Sequence, residues 1–259
     1  MSSNVSIGKI AGIAIAILVG IAVVIYKDRP APSEDVDYMM DQLDTLQEEQ
    51  TRLLESGSSD TETVTFEASE SATGSARVMQ EWVADVFNAS MDSQKDYISE
   101  LESVGWMTIL DGDRLQRDSG QVESAEIIAS ARIVAEKYEK QSVQQTNDAR
   151  DQLNKLDISA AEKRTALSAY DERIAASQGA RGEIWTLEHQ IIDDIEQIVA
   201  KLGRSEGRWS VQDSQVLFET QEDADEYNLH FNNMLARLER QESIRQELVD
   251  DAKESVRDK

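Results

Sequence analysis

At 259 residues the chain is long enough for a membrane segment, a stalk and one moderate domain. It holds 51 Asp and Glu against 26 Lys and Arg, a formal net charge of −25 spread along its length, and that field excludes a nucleic-acid partner. It has no Cys, which excludes disulfides, thiolate metal sites, a Cys nucleophile and a lipid-modified Cys.

Ile10–Tyr26, IAGIAIAILVGIAVVIY, contains no charge, no Pro and no amide side chain. As a helix it would extend roughly 25 Å, close to the roughly 30 Å hydrocarbon core of a bilayer. The run is longer than a signal-peptide core, and no small-x-small cleavage site comes after it. It is too apolar on every side for a core helix beside a polar domain. Residues 1–29 therefore read as an uncleaved single-pass anchor, with membrane lipid as the partner of Ile10–Tyr26. Gly8, Gly12, Ala16 and Gly20 lie four apart and share one helical face. Such a face lets two membrane helices approach closely, in a homodimer or with a membrane-protein partner, although Gly and Ala are also simply common in membrane helices. Lys9 stands before the span and Lys27 and Arg29 after it, so the positive-inside rule is nearly balanced. The preferred orientation places the N-terminus in the cytoplasm and the domain outside the membrane.

Residues 30–56 read as a juxtamembrane stalk helix. The only two prolines, Pro30 and Pro32, form a stiff spacer, and Ser33 or Asp35 can cap the stalk helix. Val36, Met39, Leu43, Leu46, Gln50 and Leu53 then recur at spacings of three and four, an a/d seam with one polar position. This seam is either a dimerising stalk or one amphipathic helix packing on its own domain. Residues 57–75, rich in Ser, Thr, Glu and Gly, read as a flexible linker, with a brief strand at Thr63–Phe66.

Residues 76–259 read as an acidic helical bundle. Val78, Met79, Trp82, Val83, Val86, Phe87 and Met91 open a broad apolar face that continues to Leu101, and Gly105 stops that helix. Trp106–Leu110 is a short apolar run, and Asp111-Gly112-Asp113 a turn. A second helix spans about Val122 to Leu153. Ser159 and Glu162 match a capping box that starts a third, with Gly179 and Gly182 as a break or kink. Ile184, Leu187, Ile191, Ile195, Ile198 and Leu202 give the cleanest helix face, ending at Gly203. Residues 207–219 change to period two. Trp209 and Val211, then Val216 and Phe218, alternate around a polar Asp-Ser turn, which predicts a β-hairpin packed on the bundle or used for docking. Thr220 and Asp223 then cap a last long helix.

Trp209-x-Val211, Val216-x-Phe218-x-Thr220 and Ala224-x-Glu226-Tyr227-Asn228 resemble the C-terminal end of a family of bacterial envelope lipoproteins, the YiaF type, over about 20 residues. The resemblance implies an envelope location and a helical domain with a small hairpin, and it supplies no catalytic residues. Those proteins are similar in carrying a lipidated N-terminal Cys; this chain has none, and a membrane span would take the place of the lipid.

No motif for catalysis or cofactor binding stands out. His189 with Asp193, and His230 with Glu226, lie four residues apart, but a di-iron bundle needs Glu three residues before His, and Thr186 and Tyr227 occupy those positions. Asp111-Gly112-Asp113 lacks the later ligands of a calcium loop. Neither a Gly-x-Ser-x-Gly elbow nor a phosphate loop occurs. The tryptophans sit at apolar positions and read as core.

The expectation is an all-α chain: an N-terminal transmembrane helix, a stalk helix and a long-helix bundle with a small β-hairpin before the last helix. No catalytic, cofactor or metal residues are assigned. The expected role is a non-enzymatic, single-pass scaffold or interaction module of the bacterial inner membrane with a periplasmic domain. The alternative is a ligand-sensing or ligand-binding bundle acting through a membrane partner.

Overall fold

The computed structural model describes residues 33–212 and 215–257. The apolar run Ile10–Tyr26, with its small-residue face at Gly8, Gly12, Ala16 and Gly20, lies outside the described residues, as do Asp213 and Ser214 of the hairpin turn. Among the described residues no helix is long and apolar enough to cross a membrane.

Among the described residues the chain is mostly helical, with one two-stranded hairpin before the last helix. Five long helices, α1 (Ser33–Ser56), α2 (Gly74–Ser103), α4 (Val122–Lys155), α5 (Ala160–Arg204) and α6 (Gln221–Arg257), share one hydrophobic core. A short α3 (Gly112–Arg117) links α2 to α4. In space α2 packs on α4, α4 on α5 and α5 on α6, and α1 lies against both α6 and α2.

Local chemistry sets the helix ends. Gly105 adopts φ 84°, a left-handed conformation that ends α2 at little cost only for glycine. Asp111 accepts a hydrogen bond from the Arg114 N–H at 2.8 Å, so the Asp-Gly-Asp segment is not merely a turn: it is the cap and first residues of α3. The Ser159–Glu162 capping box forms in both directions. No break occurs at Gly179 or Gly182; α5 runs unbroken for 45 residues. A helix tolerates single glycines when its flanks are buried, and Ile184, Ile191, Ile195 and Leu202 are wholly enclosed.

The stalk and linker belong to the bundle. Leu43, Leu46 and Leu53 are buried against the chain's own core, and that is the second of the two readings of the seam. The side chains of Val36 and Met39 are not among those described. Polar contacts fix α1 on the C-terminal half of α6: Gln47 donates to Gln246 at 2.6 Å, and Lys253 binds Asp44 and Gln47. Residues 57–73 form a packed strap rather than a free linker. No strand forms at Thr63–Phe66, because α2 side chains supply the strap's backbone partners instead. Asn88 accepts from the Phe66 N–H at 2.8 Å and donates to its carbonyl at 2.9 Å; Gln80 accepts from the Ser69 N–H. The Phe66 ring is buried edge-on against Phe87, centroids 5.4 Å apart.

In the hairpin, β1 (Trp209–Gln212) pairs antiparallel with β2 (Gln215–Phe218), with Trp209 opposite Phe218 and Val211 opposite Val216. These four side chains are the half-buried set, as the alternation predicts; Trp209, Val216 and Phe218 pack against the core, and Val211 faces Gly112 of α3. The Trp209 indole donates to the Leu202 carbonyl at the end of α5, at 3.0 Å. Phe218 packs on Tyr227 of α6, ring centroids 5.3 Å apart. Val211 lies so close to Gly112 that a β-carbon there would meet both its methyl groups at 2.8 Å, so α3 and β1 approach only because residue 112 has no side chain.

These contacts fix two expected changes in stability. Phe66→Ala should cost about 3 kcal/mol, read as a lowered midpoint in urea unfolding, because the ring anchors the strap. Replacing Gly179 and Gly182 together by Ala should raise stability by about 1–2 kcal/mol in the same measurement, since both sit mid-helix and nothing lies within 4 Å of either added β-carbon.

Candidate functional site

The long helices bring two features together: a polar cluster at the bundle centre and a groove on its flank. Glu188 of α5 sits one turn from Ile184 and is 1% exposed. The Tyr97 hydroxyl of α2 donates to its Oε1 at 2.6 Å, and Gln241 Nε2 of α6 donates to its Oε2 at 3.2 Å and to the Ile184 carbonyl. The Tyr97 ring also meets Tyr138 of α4, at 5.1 Å, and Trp185 of α5. The carboxyl thus receives hydrogen bonds from α2 and α6, and the Tyr97 ring extends the cluster to Tyr138 of α4. Burial dominates its electrostatics and pushes its pKa up to about 7, against the opposing pull of the Tyr97 and Gln241 hydrogen bonds and of Arg245 and His189. Burial, and the facing Glu188, push the Tyr97 phenol well above its usual range. Enclosed in this way, the cluster ties α2 and α6 to α5 in register and offers no surface to a substrate.

The groove lies between antiparallel stretches of α2 and α4 and has a volume of about 550 Å³. Residues 78–90 of α2 and 145–156 of α4 line it, each about three helical turns, or roughly 18 Å. Trp82, Val86 and Ala149 form a closed floor, while Val78, Ala89 and Leu156 are more open to solvent. Trp82 is held by donating its indole N–H to the Ala149 carbonyl at 3.2 Å. Exposed carboxylates stand on both walls: Glu81 and Asp85 on α2, Asp148 on α4. Glu81 pairs with Arg77 along its own helix, and Asp148 accepts from Gln144. Lys155 is the one base lining the groove among the described residues. Ser90 also lines it; that residue is 1% exposed, and its hydroxyl has no hydrogen-bond partner among the described residues. One turn further along α2, Gln94 has its carbonyl oxygen likewise unpartnered, and the next residue of this polar line is Tyr97.

The histidine pairs seen in the sequence are taken apart by the fold. His189 contacts Glu139 of α4 at 2.9 Å, while Asp193 binds Arg132. His230 lies 3.8 Å from Asp194, which Arg237 also holds, while Glu226 binds Lys201 and Arg204. Among the described residues no three His, Asp or Glu side chains are grouped to hold a metal ion. Trp82, Trp106 and Trp185 are core, and Trp209 is half-buried.

Sequence reading missed Glu188, Gln241, Ser90 and Gln94, and placed Tyr97 only as part of the apolar face of α2. A signal existed: each lies in phase with a buried apolar face, Glu188 between Ile184 and Ile191, Gln241 between Leu238 and Ile244. Polar residues at core phase mark buried hydrogen bonds. Compared with known proteins, the chain matches no family model, no curated protein and no solved structure.

The Glu188 carboxyl gives a pH prediction. Its folded-state pKa, about 7, lies above the ordinary glutamate value of 4.5, so folding favours the protonated form. The stability is intact below the unfolded value and is lost as pH rises through the folded one. At roughly 1.4 kcal/mol per pH unit of displacement, the loss is on the order of 3 kcal/mol. Glu188→Gln should flatten the urea-unfolding stability profile between about pH 4.5 and pH 7.5 relative to the parent protein.

Proposed function

We propose that the chain is a membrane-tethered, non-enzymatic interaction module: Ile10–Tyr26 anchors it in a bacterial inner membrane, and the bundle presents a docking surface on the periplasmic side. The observation that carries the interaction role is the α2/α4 groove, an apolar floor between carboxylate-bearing walls on rigid helices. The uncharged 17-residue run supports the tether, and the likeness of the hairpin and α6 to envelope lipoproteins supports the compartment. A ligand-binding bundle is the second reading, favoured by a groove volume within the range of small-molecule sites, roughly 300–1,000 Å³.

The tether is tested on the full chain in isolated membranes. The protein should stay in the pellet after alkaline carbonate washing. Ile17→Arg with Val19→Arg, each costing about 3 kcal/mol at mid-span, should release it to the supernatant. Release of the unmutated protein by carbonate would refute the tether.

A further inference from the structure

We infer that the α2/α4 groove docks a basic helix of about three turns, contributed by a partner protein and laid apolar face down. The inference rests on the interaction-module reading and names the partner that module takes.

Length and shape come first. The groove walls are two antiparallel helices in contact over about three turns, and a third helix lying along such a pair repeats the packing geometry used throughout the bundle. Its apolar residues would cover Val78 and Leu156, which the bundle leaves half-exposed, and fill the space above Ala89. This is helix-in-groove recognition, read by anchors at i, i+3, i+4 and i+7.

Charge selects the partner. Carboxylates flank the floor from both sides, Glu81 and Asp85 across from Asp148, so a helix with Lys or Arg on both flanks meets acids on either wall. An acidic or neutral helix would instead desolvate those carboxylates without compensation.

The acidity of the rim is shared with the rest of this surface; what distinguishes the groove is its apolar lining, a closed floor of Trp82, Val86 and Ala149 with Val78, Ala89 and Leu156 left open to solvent beside it.

The test uses the full chain in nanodiscs of zwitterionic lipid, with empty nanodiscs as background. Two fluorescent, hydrocarbon-stapled helices of about 12 residues serve as probes. They share one Leu/Ala face and differ only in carrying Lys or Glu on their flanks. Fluorescence anisotropy should show saturable binding of the Lys helix, weakened by salt, and none of the Glu helix. Glu81→Lys with Asp85→Lys, which changes exposed side chains, should weaken the Lys helix at least about tenfold. Ala89→Trp, which fills the groove from an exposed position, should do the same with the rim charges intact, and thermal melts of both variants should match the parent. Binding of both probes alike, an Ala89→Trp affinity equal to the parent's, or no binding above background would each overturn the docking site. None of these outcomes alters the carbonate result, so failure of the groove is distinguishable from failure of the tether.

Discussion

A carboxyl group buried among four helices has to be hydrogen-bonded where it lies, because an unpaired one is among the most expensive groups a core can hold. Glu188 meets this demand by receiving the Tyr97 hydroxyl from α2 and the Gln241 amide from α6. Both bonds require particular turns of three helices to stand level, and an apolar face such as Ile184, Ile191 and Ile195 would accept a slip of one turn far more readily. The register of α2 against α5 is set by this contact. About four turns before Tyr97, Trp82 bonds Ala149 of α4 and forms part of the groove floor.

The same logic governs the segments before α2. Residues 57–73 contain too few apolar side chains to bury a strap on hydrophobic area alone. The strap is held because Phe66 inserts beside Phe87 while Asn88 and Gln80 satisfy its backbone as a neighbouring strand would. Polar side chains on α2 thus take the place of a sheet. At its other end α1 closes the bundle against α6, where Gln47 and Lys253 add directional bonds to the leucine seam.

Basic residues are scarce, and many of them clamp helices together. Arg132 reaches Asp193 and Glu196, Arg150 holds Asp171, and Arg237 holds Asp194. Lys201, Arg204 and Arg208 join the end of α5 to Asp223 and Glu226 at the start of α6. The exposed pairs contribute little each, whereas Lys201–Asp223 is buried, and together they set which helices meet. With the bases drawn into these seams, the surplus carboxylates remain on the outer faces, Glu81, Asp85 and Asp148 among them.

Helix and hairpin positions were legible in the sequence because they depend on neighbours a few residues apart. The Ser159–Glu162 box, the Gly105 stop, the alternation from Trp209 to Phe218 and the period of Ile184 to Leu202 all describe local geometry, and the chain folds locally as they imply. Local reading failed where a distant partner decided the outcome. The Leu43–Leu53 seam is the same pattern whether it faces a second chain or α6, and the strap looks unstructured until Asn88 and Gln80 are opposite it. His189 and Asp193 are neighbours on one helix, yet each bonds across to α4. The sequence by itself determined the positions of the long helices, the Ser159–Glu162 box, the hairpin and the acid excess, since these arise from spacing and composition. Only the tertiary structure decided that α1 and the strap join the core, that Glu188 is buried and bonded from α2 and α6, and that α2 and α4 leave a groove with an unsatisfied Ser90. Each of those depends on residues far apart in the chain, whose meeting no local period records.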